Sequence, residues 1–164
     1  MVRILLAVIF RRAEEADMPG LMNVEEDCFG AERFRQEVVR AFLVRDNAFI
    51  VVGLEDDEIV GSAMAMYSEE VSEGKIASIA VLRRFRGQGI GAQLLEECED
   101  VFRAHDLRRY SLEVETSNEP AVALYKTRGY QTIGLINDFY AAGRHAYCMQ
   151  KRVGDHKSVK LRLS

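Results

Sequence analysis

Ile79-Ala80-Val81-Leu82-Arg83-Arg84-Phe85-Arg86-Gly87-Gln88-Gly89-Ile90-Gly91-Ala92-Gln93-Leu94-Leu95 leads from an apolar β-rich run, through glycines at alternate positions, into an amphipathic helix. Glycine lacks a Cβ, so the backbone N–H groups of such a loop can approach an anion closely. They lie where a helix begins, and a helix N-terminus carries about half a positive charge. Pyrophosphate is the implied ligand. The dinucleotide fingerprint needs G-x-G-x-x-G and the P-loop needs Gly-Lys-Ser/Thr, and neither is present. Taken alone, these glycines serve a tight turn and an anion equally well.

Working outward, Lys75 to Val81 reads as a fourth strand, apolar on both faces as a central strand requires. Before it, Ala48–Leu54 and Ile59–Tyr67 flank the charged turn Glu55-Asp56-Asp57-Glu58 and form a hairpin, and Ser68 to Gly74 is a second turn. Leu21, Val24 and Phe29 mark a helix ending near Gly30, and Phe34, Val38, Val39 and Phe42 mark a second helix from Glu32 to Leu43. After the glycines, Leu94, Leu95, Cys98, Val101 and Phe102 line one side of a helix running to Ala104. Tyr110–Val114 alternates as a fifth strand, with Ser111, Glu113 and Glu115 on one face and Tyr110, Leu112 and Val114 on the other. Pro120 opens a short helix that Gly129 ends. Two last strands, Tyr130–Ile136 and His145–Val153, are joined through Asn137 to Arg144.

A chain of 164 residues, 48% hydrophobic and 29% charged, can bury a sizeable core and fits one domain of about 150 residues. The expected organisation is an α/β domain over 1–153 and a tail over 154–164, which reads as a frayed terminus or a partner-binding strand. The run from Ile4 to Phe10 resembles a leader, but Arg11-Arg12 follow where small cleavage-site residues belong, so it reads as a first buried strand. No apolar stretch reaches the roughly 18 residues of a membrane span. The formal charge of −4 gives no support to non-specific nucleic-acid binding, which needs clustered basic residues. Cys28, Cys98 and Cys148 are odd in number and scattered, which favours a reducing compartment and a cytoplasmic location, each cysteine being a small buried apolar residue. His105, His145 and His156 form no ligand spacing, and no metal is expected.

Arg86-Gly87-Gln88-Gly89-Ile90-Gly91, after a strand and opening a helix, resembles the R/Q-x-x-G-x-G/A signature of the GCN5-related N-acetyltransferases (GNAT). A second block, Leu112-Glu113-Val114-Glu115 through Asn118-Glu119-Pro120 to Leu124-Tyr125 and Gly129-Tyr130, is similar to that family's next strand and helix. The resemblance covers about 75–153. It implies a mixed, mostly antiparallel sheet of about seven strands with splayed central strands, about four helices, and acetyl-CoA between the fourth and fifth strands. The backbones of Ile79, Ala80 and Val81 would pair with the pantetheine arm. Arg86, Gly87, Gln88, Gly89, Ile90, Gly91 and Ala92 would hold the pyrophosphate. Asn118 matches a position contacting the cofactor arm, and as a residue it is also a preferred helix cap.

Acyl transfer to an amine needs the amine neutral, and an α-amino group loses its proton only at about pH 7.7–8.0. A base must take that proton, and an acid helps the thiolate leave. By resemblance Glu113 is the base, with Glu115 in reserve, and Tyr125 the acid. As residues, Glu113 also fits a solvated strand carboxylate and Tyr125 a core aromatic spaced with Ala121 and Val122. A Glu facing a cleft on a central strand is expected to be desolvated. The ending Asn137 to Met149 resembles protein N-terminal acetyltransferases of the ribosomal-protein alanine type, which implies Phe29, Tyr140 and Tyr147 at a peptide slot. The family's tyrosine, acidic and proline positions are here Phe139, Arg144-His145 and Gly30. The expected acceptor is the N-terminal α-amine of a protein or peptide, handled by a monomer or homodimer. The alternatives are a small amine drawn by Glu69, Glu70 and Glu73, or a non-catalytic acyl-CoA sensor.

Overall fold

The computed structural model describes residues 8–154. Its elements are β1 (Ile9–Arg12), α1 (Met18–Phe29), α2 (Gln36–Val44), β2 (Ala48–Glu55), β3 (Glu58–Ser68), β4 (Glu73–Val81), α3 (Ile90–Ala104), β5 (Arg109–Glu115), α4 (Glu119–Thr127), β6 (Gln131–Ala141) and β7 (Arg144–Arg152). The seven strands form a sheet of order β1-β2-β3-β4-β5-β7-β6. Of the registered pairs, β4–β5 is parallel and β1–β2, β2–β3, β5–β7 and β6–β7 are antiparallel. The seven strands and four α-helices are those expected of the sequence. Among the described residues no helix is long and apolar enough to cross a membrane.

Within 8–154 the chain divides into two compact units, 8–66 with 77–98, and 67–76 with 99–154. In the first, Asp56 and Asp57 both take positive φ (47° and 65°), the geometry of a tight hairpin turn, and they join β2 to β3. Pro19 stands in the first turn of α1, where its missing N–H costs nothing. Leu21 and Val24 of α1, Val39 and Phe42 of α2 and Leu94 and Leu95 of α3 are buried, as helical spacing requires. In the second unit, β5 buries Tyr110, Leu112 and Val114, and the Phe102 and Tyr110 rings lie 5.1 Å apart. Tyr130 and Met149 are fully buried there too.

Some expectations change, and two fall mostly outside the described residues. The first strand expected over Ile4–Phe10 lies mostly outside the described residues; within them β1 is an edge strand with Ile9 exposed and Arg11 paired to Asp17 at 2.8 Å. Of the expected tail, only Gly154 is described. The second helix begins at Gln36 rather than Glu32. Glu25 is the physical reason, because its buried carboxylate takes the Phe34 N–H at 3.1 Å while Arg33 and Arg35 stay extended. The segment 137–144 is mostly strand rather than loop. β6 runs to Ala141 through a bulge at Asp138 (φ 54°), whose Oδ1 accepts the Gly143 N–H at 2.8 Å and pins the turn. Cys98 is fully buried as expected, whereas Cys28 and Cys148 are half-buried.

Gly74 shows how closely the second unit is packed. A Cβ there would stand 2.5 Å from Phe102 Cγ, and backbone and ring cannot both hold their places. We expect Gly74→Ala to lose about 1–3 kcal/mol of stability, seen as a lower urea midpoint at unchanged slope. An unchanged midpoint would mean the ring moves freely.

Candidate functional site

The candidate residues fall into two sets, one in each unit. In the first, β4 runs into a short 3-10 turn (Arg83–Phe85) and then the glycine loop. Gly87 and Gly89 have φ of 79° and 83°, a conformation few other residues adopt, and open space lies where their Cβ atoms would be. The Gln93 N–H bonds the Gly89 carbonyl at 3.1 Å, so α3 begins its ladder there. The N–H groups of Ile90, Gly91 and Ala92 therefore have no carbonyl of their own helix to bond. Ile90's side chain is buried, anchoring the helix start and leaving its backbone to line the loop. This arrangement suits a phosphate oxygen on geometric and electrostatic grounds.

The end of β4 is less uniform than the sequence implied. The Leu82 N–H bonds Val60 O at 2.9 Å, and Ala80 O lies 3.0 Å from where a Gly61 Cβ would be. Backbone groups of a strand point alternately to its two sides, so Ala80 faces β3 while Ile79 and Val81 face away from it. The Val81 carbonyl already accepts from Arg86 Nε at 3.0 Å and the Cys28 thiol at 3.3 Å. Arg86 thus braces the strand end on which the loop is mounted. Burial pushes the Cys28 thiol up in pKa, against a smaller opposing pull from Arg86. Phe29, partly exposed, ends α1 where Gly30 turns at φ 53°.

The second set is built on β5. The registered β4–β5 ladder runs from Glu73↔Arg109 to Ile76↔Leu112, although β5 continues to Glu115. Strand alternation puts Ser111, Glu113 and Glu115 on the face opposite the buried residues. Each has a partner: Ser111 Oγ donates to Glu73 Oε1 at 2.6 Å, Lys75 Nζ to Glu113 Oε1 at 2.6 Å, and Arg144 reaches both oxygens of Glu115 at 2.6 and 3.3 Å. Glu113, expected to be desolvated, is ion-paired to Lys75, its side chain 20% exposed and that of Lys75 42%. The Arg144 hydrogen bond holds the Glu115 carboxyl below the usual range, with a smaller contribution from Ser117. The pair therefore stabilises the fold above the ordinary glutamate pKa, and that contribution fades as pH falls through the lowered value. A carboxylate so held is a weaker base than a free one.

Tyr140, on β6, has its hydroxyl pushed up to about 12, first by burial and then by the negative charge of Glu113 and Glu115. It stays protonated at neutral pH. Arg144 lies over its ring at 5.8 Å. Tyr147 does not join them. It is paired with Val114, so it shares Val114's face, opposite Glu113, whereas Cys148 pairs with Glu113. Asn118 caps α4, its side chain accepting the Ala121 N–H at 3.4 Å. Tyr125, buried on α4, meets the Tyr130 ring edge-on at 6.0 Å, and the Tyr130 hydroxyl donates to the buried Glu99 at 2.7 Å. Lys75 and Arg144 are the residues that reading the sequence left without a role. Lys75 is the only charged residue of the run Lys75 to Val81, which was a usable signal.

Residues 14–130 match the family described as Acetyltransferase (GNAT). The chain belongs to that family. An N-alpha-acetyltransferase of Sulfurisphaera tokodaii is 39% identical over 83 residues, 48% of each chain. One of Sulfolobus acidocaldarius is 35% identical over 116 residues, covering 62% of this chain and 67% of that protein. The match thus spans about half the length of the first relative. The fold is similar to the crystal structure of the ribosomal-protein-S18-alanine N-acetyltransferase from Escherichia coli, with a TM-score of 0.81 at 20% identity over 91% of this chain and 97% of that one. It is also similar to Arabidopsis thaliana Naa50 in complex with the bisubstrate analogue CoA-Ac-MVNAL, with a TM-score of 0.78 at 22% identity over 89% and 99%. These likenesses concern the fold.

The placement of Tyr140 has a direct readout. Alkaline titration followed by tyrosine ultraviolet absorbance should show a step near pH 12 that Tyr140→Phe removes. Loss of absorbance change at about pH 10, the ordinary tyrosine range, with the step near pH 12 retained, would mean Tyr140 is not beside the acidic face.

Proposed function

We propose that this protein is an acetyl-CoA-dependent N-acetyltransferase whose acceptor is the α-amine of a protein or peptide N-terminus. The observation that carries the reading is Glu113: a carboxylate on the polar face of β5 that already binds an ammonium group, at 2.6 Å. The family and the relatives' names support acetyl transfer to N-terminal amines. The small-amine alternative drew on Glu69, Glu70 and Glu73, but Glu69 is joined to His105 at 2.7 Å and Glu73 to Ser111. Three free thiols are consistent with a cytoplasmic location.

In the proposed reaction the N–H groups at the start of α3, with Gly87 and Gly89, hold the pyrophosphate of acetyl-CoA. The backbones of Ile79 and Val81 offer strand-like hydrogen bonds to the pantetheine arm, Val81 mainly through its N–H because its carbonyl is engaged. Glu113 takes the proton of the acceptor's ammonium, either directly or through a water. The neutral amine attacks the thioester carbonyl, the C–N bond forms, the nitrogen gives up its second proton to solvent, and the C–S bond breaks. Tyr125 gives its proton to the departing thiolate. The Tyr140 hydroxyl and Phe29 are assigned to the peptide.

The test offers acetyl-CoA with free-amine peptides, N-blocked lysine peptides and polyamines, and locates acetyl groups by mass spectrometry. We expect label on α-amines; label confined to lysines or polyamines would replace this reading with the small-amine one. Tyr125→Phe should lower kcat by about 10²-fold or more while leaving acetyl-CoA affinity within about twofold, because proton donation acts in the transition state. An unchanged kcat would remove Tyr125 as the acid. Gly89→Glu adds strain at positive φ and a negative charge at a helix N-terminus, and should weaken acetyl-CoA binding by about tenfold or more in calorimetry. Unchanged affinity would place the pyrophosphate elsewhere.

A further inference from the structure

The ammonium that Glu113 binds belongs to the protein itself. Lys75 lies on β4, in the segment laddered to β5, where its register partner is Ser111. Lys75 therefore shares the face of Ser111 and Glu113, and its Nζ reaches Glu113 Oε1 at 2.6 Å. Its side chain is 42% exposed, so a small group added to Nζ meets solvent rather than a packed core. An acceptor's α-ammonium that Glu113 deprotonates directly would sit at this same oxygen.

We propose that Lys75 is a self-acetylation site, its Nζ standing in for the acceptor amine when no acceptor is bound. The inference rests on the function proposed above. The step balances as the main reaction does. Glu113 takes one proton from the Lys75 ammonium and the freed lone pair attacks the thioester carbonyl. C–N forms, C–S breaks, Tyr125 protonates the thiolate, and the second nitrogen proton passes to solvent. Acetyl-CoA and a lysine ammonium become free CoA, an Nε-acetyl-lysine and a proton, with no other reactant.

Magnitudes decide when this occurs. A lysine side chain in water holds its proton to about pH 10.4 and an α-amine only to about 7.7–8.0, so at neutral pH the lysine amine is neutral a few hundredfold less often. A peptide acceptor therefore wins when present. A tethered amine, however, needs no diffusional encounter, which favours it when no acceptor is bound. Self-acetylation is thus the slow reaction of the acceptor-free enzyme. It also removes the cation that competes for Glu113.

The experiment incubates the purified full chain with acetyl-CoA, with and without a free-amine peptide that it acetylates. Peptide mapping by mass spectrometry then follows acetyl-Lys75, with the exposed Lys126 of α4 as the reference for unassisted chemistry. We expect Lys75 to be labelled at least tenfold faster than Lys126, at a rate per molecule independent of protein concentration. Saturating peptide should suppress that label in the unaltered protein, and Glu113→Gln should reduce it at least tenfold. Acetylation of the peptide with Lys75 unlabelled, or labelled no faster than Lys126, would overturn the inference and leave the proposed function standing. Failure to label either peptide or Lys75 would overturn both.

Discussion

The alternation of β5 is the constraint on which the second unit depends. Tyr110, Leu112 and Val114 are buried, so the pleat commits Ser111, Glu113 and Glu115 to the opposite face. A one-residue slip would bury two carboxylates, which makes the register strongly specified. Once on that face the two acids are differentiated by their partners. Arg144 grips Glu115 with two hydrogen bonds and keeps its proton affinity low. Lys75 gives Glu113 a single contact from a flexible, half-exposed side chain, one that an incoming ammonium can replace. Two identical side chains thus become a structural anchor and a candidate base.

The first unit answers a different requirement, the presentation of backbone donors. Positive φ at Gly87 and Gly89 turns the chain between strand and helix, and burial of Ile90 fixes where the helix begins. Arg86 and Cys28 converge on the Val81 carbonyl and tie the strand end down. The loop is therefore mounted on rigid elements, the arrangement that positions a ligand most closely.

Most of the fold was legible because its signals are local. The glycine spacing, the β5 alternation, Pro120 with Gly129, and the acidic hairpin turn each act within a few residues. What escaped depends on distant partners. Nothing near Phe34 announces that Glu25 will take its N–H and delay α2, and Asn137-Asp138 reads as a turn until the β6–β7 register shows a bulge. Tyr147 was assigned to the slot by resemblance, yet its pairing with Val114 sets it on the other face. The Lys75–Glu113 and Arg144–Glu115 pairs likewise exist only once parallel and antiparallel neighbours are known. Chemistry-bearing residue types were readable; the charges facing them were not.

The central claim is that Glu113 takes the proton of the acceptor amine, and the pH dependence of kcat at saturating acetyl-CoA tests it most directly. With a free-amine peptide, Glu113→Gln should be slower than the unaltered protein near neutral pH. It should regain much of the difference above about pH 8, where an α-amine sheds its proton unaided. Curves for the two proteins that superimpose across the whole range would contradict the account and place the base elsewhere.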